Sequence, residues 1–130
     1  MAMLKMGRRE YESLRQHAAD TYPHECCGVL LGVMEEGSRT VAATARCTNT
    51  EAASDWFQID PRQIVRIQRE AAEIGQDIVG FYHSHPDDEA RWSKSDLVEA
   101  HWIGCSYVIV SVGGGKPEEV NSFFLAGGYE

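Results

Sequence analysis

The sequence predicts an α/β sandwich, a mixed and curved sheet packed by helices. Three observations carry that expectation. Apolar strand-like runs alternate with amphipathic helical stretches. Several of the runs are joined by short turns and so pair as hairpins. One run, Ile78, Val79, Phe81 and Tyr82, is apolar on both faces, which puts it in the middle of a sheet covered on both sides.

The elements follow in order. Tyr11, Leu14, Ala18 and Tyr22 recur at helical spacing and predict a helix from about Arg8 to Thr21, ended by Pro23. Residues 28–33 form an apolar strand, with Glu25 at its mouth. Glu35-Glu36-Gly37-Ser38 is a hairpin turn, and residues 39–47 return as the partner strand. A polar loop over 48–54 leads to a short strand, Asp55-Trp56-Phe57-Gln58-Ile59. Asp60 caps a second helix with Pro61 at its first position. Its stripe is Ile64, Ile67, Ala71 and Ile74, and Gly75 closes it. The two-faced apolar strand then runs to His85. An acidic loop over 87–92 precedes a third helix from 93 to about 102. A β-branched run over 105–112, a turn over 113–117 and a last strand over 118–125 complete the chain. The pair Gly127-Gly128 reads as another turn.

The chain has 130 residues, enough for one domain, 1–130, with a single core. A formal net charge of -8 disfavours nucleic acid and anionic membranes as partners. No apolar run approaches membrane-spanning length, and the first residues lack the apolar core of a signal peptide, so a cytoplasmic location is expected. The four cysteines, Cys26, Cys27, Cys47 and Cys105, show no CxxC spacing. They read as buried, reduced thiols in strands.

The chemistry concentrates between Gly80 and Asp96. His83 and His85 are two apart on a strand and so share a face. Ser93 follows eight residues later and Asp96 three after that, where a helix can carry Asp96 back to the histidines. Two neutral imidazoles and one carboxylate make the protein half of an open zinc site. The whole spacing would arise in roughly 6 of 10,000 shuffles of this composition, which makes the pattern specific. Ser93 with Asp96 alone is also an ordinary capping box. Glu25 is either the solvated end of a strand or a carboxylate set in a pocket. His24 beside it reads as a surface residue.

Together Glu25 and the His83-x-His85, seven residues, Ser93, two residues, Asp96 pattern resemble the motif of the JAMM (MPN-plus, Mov34-type) zinc metalloproteases. The stretch Tyr22-Pro-His-Glu-Cys-Cys-Gly-Val-Leu-Leu-Gly32 and the element Trp56-Phe-Gln-Ile-Asp60 resemble the small stand-alone prokaryotic members. The likeness covers about Tyr11 to Leu125. It implies a cytidine-deaminase-like α-β-α fold and hydrolysis of peptide or isopeptide bonds. It also implies one zinc on His83, His85 and Asp96, Glu25 as the base that holds the attacking water, and Ser93 supporting the oxyanion. Ser84, between the histidines, points to the other face and reads as structural. Trp92 and the Asp87-Asp88-Glu89 loop flank the cleft, as substrate contacts or as a solvated loop.

The chain lacks the insertions that shape a ubiquitin-binding groove in polyubiquitin-cleaving relatives. A narrow groove beside the metal would pass only slim residues, and a Gly-Gly pair allows the closest backbone approach. This fit, joined to the family resemblance, points to the C-terminal tail of a ubiquitin-like or sulfur-carrier protein as the expected substrate. Two other readings stand beside this one. His83-x-His85-x-x-x-Glu89 matches the ligand part of a cupin-type or facial-triad iron oxygenase, although the bracketing positions 77 and 96 are Asp where cupins have Gly, and three helices do not suit a small barrel. A non-catalytic scaffold stabilised by its metal is the other, against which stand an intact Glu25 and Ser93.

Overall fold

The computed structural model describes residues 3–50, 58–90 and 105–124. Within them run β1 (Met3–Met6), α1 (Arg8–Thr21), β2 (Cys27–Glu35), β3 (Ser38–Cys47), α2 (Pro61–Glu73), β4 (Asp77–Pro86), β5 (Ser106–Gly113) and β6 (Lys116–Phe124). The strands form one six-stranded sheet in the order β1-β3-β2-β4-β5-β6. It is mixed: β1 with β3 and β4 with β5 are parallel, and the other pairs are antiparallel. Register shifts interrupt β2 at Leu30 to Gly32 and β5 between Val110 and Val112. Such irregularities bend strands, and here they curve the sheet.

β4 is central, as its two-faced apolar run predicts, and every residue from Ile78 to His85 is buried. One face packs against α1, where Leu14 and Ala18 meet Val79, Tyr82, Val108 and Val110. The other packs against α2, where Ile67 joins Val29, Ile78, Phe81 and Tyr107. The third expected helix, residues 55–57 of the strand expected over 55–59 and the Gly127-Gly128 turn lie outside the described residues, while Ile59 forms a single bridge with Asn49.

Local rules explain the helix ends. The Asp60 carboxylate accepts the Arg62 N–H at 2.9 Å, and Pro61 opens the helix. At the other end Gln76 N–H reaches the Ala71 carbonyl at 2.9 Å and Gly75 N–H reaches Ala72 at 3.2 Å, with Gly75 at φ 75°. That is the Schellman arrangement, and it needs the left-handed residue. It also corrects one expectation. Ile74 is the cap rather than the last core residue and stands 71% exposed, because the chain turns away before the stripe reaches it. Tyr11 likewise sits at the rim, 37% exposed, beneath the Arg15 guanidinium.

β1 was not expected. Its four residues alternate only exposed and half-buried, too short a run to show a period, and what holds it is pairing with β3 from Met3↔Ser38 to Met6↔Val41. The four cysteines are free and buried. Burial pushes the Cys26 thiol up to about 12 and those of Cys47 and Cys105 to about 11, with Cys27 also raised, so all stay protonated at neutral pH.

The α1 face holds a buried polar pair. His17 Nδ1 lies 2.6 Å from the Tyr82 hydroxyl, and the rings meet edge to face. Burial and the Arg46 charge hold the His17 pKa down at about 4, against the opposite pull of Asp20. The tip of the Tyr82 ring also lies across Gly28: a Cβ there would come within 2.3 Å of it.

Two predictions follow from that pair. Above pH 6.5, the ordinary histidine value, neither state protonates His17. Below it the unfolded chain gains a proton that the folded one refuses until about pH 4. The stability His17 contributes is thus whole above pH 6.5, falls between 6.5 and 4, and levels off below. Denaturant unfolding of the wild type and H17Q across that range should show their difference shrinking in the same window. Gly28→Ala should destabilise by about 1–3 kcal/mol, the cost of overpacking a core that cannot yield, since Tyr82 is tied to His17. Chemical denaturation of that variant measures it.

Candidate active site

The C-terminal end of β4 carries the two histidines. His83 and His85 are both buried, at 2% and 8% exposure. Their Nε2 atoms are 3.2 Å apart, and the rings tilt at 56° with centroids 5.0 Å apart. The period of two thus brings both imidazoles to one point. His85 Nδ1 lies 2.8 Å from the Glu89 backbone carbonyl. A carbonyl only accepts, so Nδ1 carries the proton and Nε2 keeps its lone pair. A histidine that donates its far nitrogen to a carbonyl while the near one faces inward has the arrangement of a metal ligand.

Glu25 lies just before β2 and is 5% exposed, so the solvated-end reading does not describe it. The β2–β4 ladder pairs Cys27 with His83, and Ser84 N–H reaches the Cys26 carbonyl at 3.2 Å. Glu25 is the residue before Cys26, one step beyond that last bonded pair. His24 is exposed, as expected. Ser84 is fully buried and its Oγ accepts the Cys26 N–H at 2.8 Å, a structural contact as anticipated.

Ser93, Asp96 and Trp92 lie outside the described residues. Among the described residues no group of three or more histidine, cysteine or carboxylate side chains gathers to hold a metal. The two convergent neutral nitrogens nevertheless suit zinc, which takes imidazole readily and leaves room for a carboxylate and a water.

The loop after β4 is firmly held. Asp87, at φ 55°, donates its N–H to the Val112 carbonyl at 2.6 Å, and its carboxylate accepts the Gly114 N–H at 2.9 Å and the Tyr22 hydroxyl at 2.7 Å. The Gly114 N–H and then Tyr22 hold its carboxyl below the ordinary range. Asp87 is therefore a loop anchor. It also borders an open cavity of about 650 Å³ walled by Asp88, Glu89, Glu118 and Glu119.

The structure removes the iron-oxygenase reading. An open six-stranded sheet with helices on both faces is no cupin barrel. Glu89 is exposed and meets His85 through its backbone carbonyl. One contributor went unnoticed in the sequence: Asn49, whose Nδ2 donates to the Glu25 carbonyl at 2.9 Å. In a polar loop an asparagine gives no signal of such a contact.

Comparison with known proteins agrees with this geometry. A desampylase from Haloferax volcanii is 39% identical over 77% of this chain and 71% of its own length. A CysO-cysteine peptidase from Mycobacterium tuberculosis is 30% identical over 86% of this chain and 75% of its own. The crystal structure of a JAB1/MPN domain protein from Archaeoglobus fulgidus superposes with a TM-score of 0.63 at 18% identity, covering 96% of this chain and 91% of that one, a likeness of fold. Residues 8–126 match the model for prokaryotic homologues of the JAB domain, and with nearly the whole chain inside that match the protein belongs to the Prok-JAB family.

Proposed function

We propose that this protein is a zinc-dependent peptidase or isopeptidase that hydrolyses the amide bond next to the C-terminal Gly-Gly of a ubiquitin-like or sulfur-carrier protein. The observation that carries it is the buried pair of imidazole nitrogens 3.2 Å apart, with His85 oriented from behind, in a chain whose relatives include a desampylase and a CysO-cysteine peptidase. One of the two is named a peptidase, which supports amide hydrolysis at this site.

A zinc ion held by His83, His85 and Asp96 would supply Lewis acidity and a nucleophile competent at neutral pH. The protein's own groups do the rest. His85 keeps its lone pair inward because its other nitrogen is bound to Glu89. Glu25, buried away from bulk water, takes the proton of the attacking water and returns it to the leaving amine. The Ser93 hydroxyl donates to the oxygen that becomes negative as the carbonyl is attacked. An extended tail can bring its last peptide bond to the C-terminal end of the central strand β4, where the two histidines meet.

Three measurements test this reading. The double variant H83A/H85A should lose zinc and activity together; stoichiometric zinc in the purified variant would mean other ligands. Glu25→Gln should keep its zinc and lose roughly 10²–10⁴ in rate, while near-native turnover would remove Glu25 from the mechanism. Carriers ending Gly-Gly-X should be cut and the same carriers ending Ala-Val-X spared. Equal cleavage of both would leave a general metallopeptidase.

A further inference from the structure

The peptide group joining Glu25 to Cys26 is gripped at both ends by side chains from elsewhere in the fold. Its carbonyl accepts Asn49 Nδ2 at 2.9 Å, and its N–H donates to Ser84 Oγ at 2.8 Å. Neither grip is incidental. The Asn49 amide is itself oriented, because its Oδ1 accepts the Gln58 N–H at 3.0 Å while Asn49 bridges Ile59. With an N–H donor on one side and a carbonyl on the other, its oxygen and nitrogen can be set only one way round. Ser84 is fully buried, sits between His83 and His85, and sends its backbone N–H to the Cys26 carbonyl at 3.2 Å. One residue therefore ties the strand of the histidines to the peptide that carries Glu25.

From this geometry we infer that Asn49 and Ser84 are positioning residues for the reaction, a two-sided clamp that aims the Glu25 carboxylate at the histidine pair. The inference rests on Glu25 being the base. The physical reason is leverage. With its peptide group anchored at both ends the Glu25 backbone is held in place, and a small tilt or shift of that backbone is amplified at the carboxylate, three bonds out, to about 1 Å. A misplacement of that size is enough to cost about 10²-fold in rate. Asn49 anchors the peptide from the β3 side, and Ser84 anchors it from β4 in the same residue that spaces the histidines.

The test uses N49D, S84A and S84T, each alone and combined with E25Q, on a zinc-loaded protein and a ubiquitin-like carrier with a Gly-Gly-X tail. N49D keeps the shape and the acceptor for Gln58, and sets a charged oxygen against the Glu25 carbonyl in place of the donor, so it breaks this grip by repulsion as well as by loss of the bond. S84T keeps the hydroxyl. The expected result is a roughly ten- to hundredfold fall in kcat for N49D and S84A, with KM and zinc content unchanged and S84T near wild type. In the E25Q background the same changes should cost little more, since their effect passes through the base. Losses that multiply fully with E25Q, or an unchanged kcat in both N49D and S84A, would overturn the clamp. If S84A does not fold, N49D alone decides by the same criteria. If E25Q itself proves near native, the base assignment fails separately. The Glu25 carboxyl resonance of the metal-free protein then decides the clamp: displacement in S84A with S84T unmoved supports it, and an unmoved signal in S84A overturns it.

Discussion

The pairing of β2 with β4 in one register is the constraint on which the rest depends. With Cys27 opposite His83, Gly28 falls opposite Tyr82, and the Cys26 carbonyl ahead of β2 takes the Ser84 N–H between the two histidines. A slip of one residue would turn every side chain of β2 to the other face. It would put a Cβ where the Tyr82 ring lies and carry Glu25 away from the histidines. The register is held by cores on both sides of the sheet, with Leu30 and Val79 packed toward α1 and Val29 and Ile78 toward α2. Stability and site geometry are therefore one requirement.

What the sequence made legible is what a local rule can carry. The period of two placed both imidazoles together. Asp60-Pro61 and Gly75 marked the limits of α2, and a run apolar on both faces marked the central strand. What it hid depends on distant partners. β1 is a strand because β3 offers an edge, and nothing within Met3–Met6 announces it. His17 shares the buried face of α1 with Leu14 and Ala18, but its polar partner is the Tyr82 hydroxyl on β4, which nothing local names. Ile74 fits the helical period, but the Schellman turn ends the helix first. Asn49 matters through a contact with a residue 24 positions away, which no local pattern encodes.

Alternation along β4 divides the work between its faces. Tyr82 and Ser84 face α1 and hold the strand in place, one through His17 and the other through Cys26. His83 and His85 face the α2 side and meet each other. The residues that fix the strand are thus interleaved with the residues that define the site. Supports on the far face hold the histidines through the shared backbone without occupying the face on which they meet.

That arrangement also accounts for the most expensive feature of the fold. Two imidazoles are buried at the end of β4, beyond its apolar run from Ile78 to Tyr82, and the Glu25 carboxylate is buried just ahead of β2. Polar groups taken from water cost free energy unless they find partners. A core selected for stability alone would put Val or Ile there, as β5 does across its buried run of Val108, Ile109 and Val110. A local conflict of this kind, retained in an otherwise self-consistent fold, is where function is expected. Its polar supports point the same way: the Glu89 carbonyl, the Asn49 amide and the Ser84 hydroxyl each hold a site element in one orientation. Polar bonds spent on orientation make sense where the direction of a lone pair decides the rate.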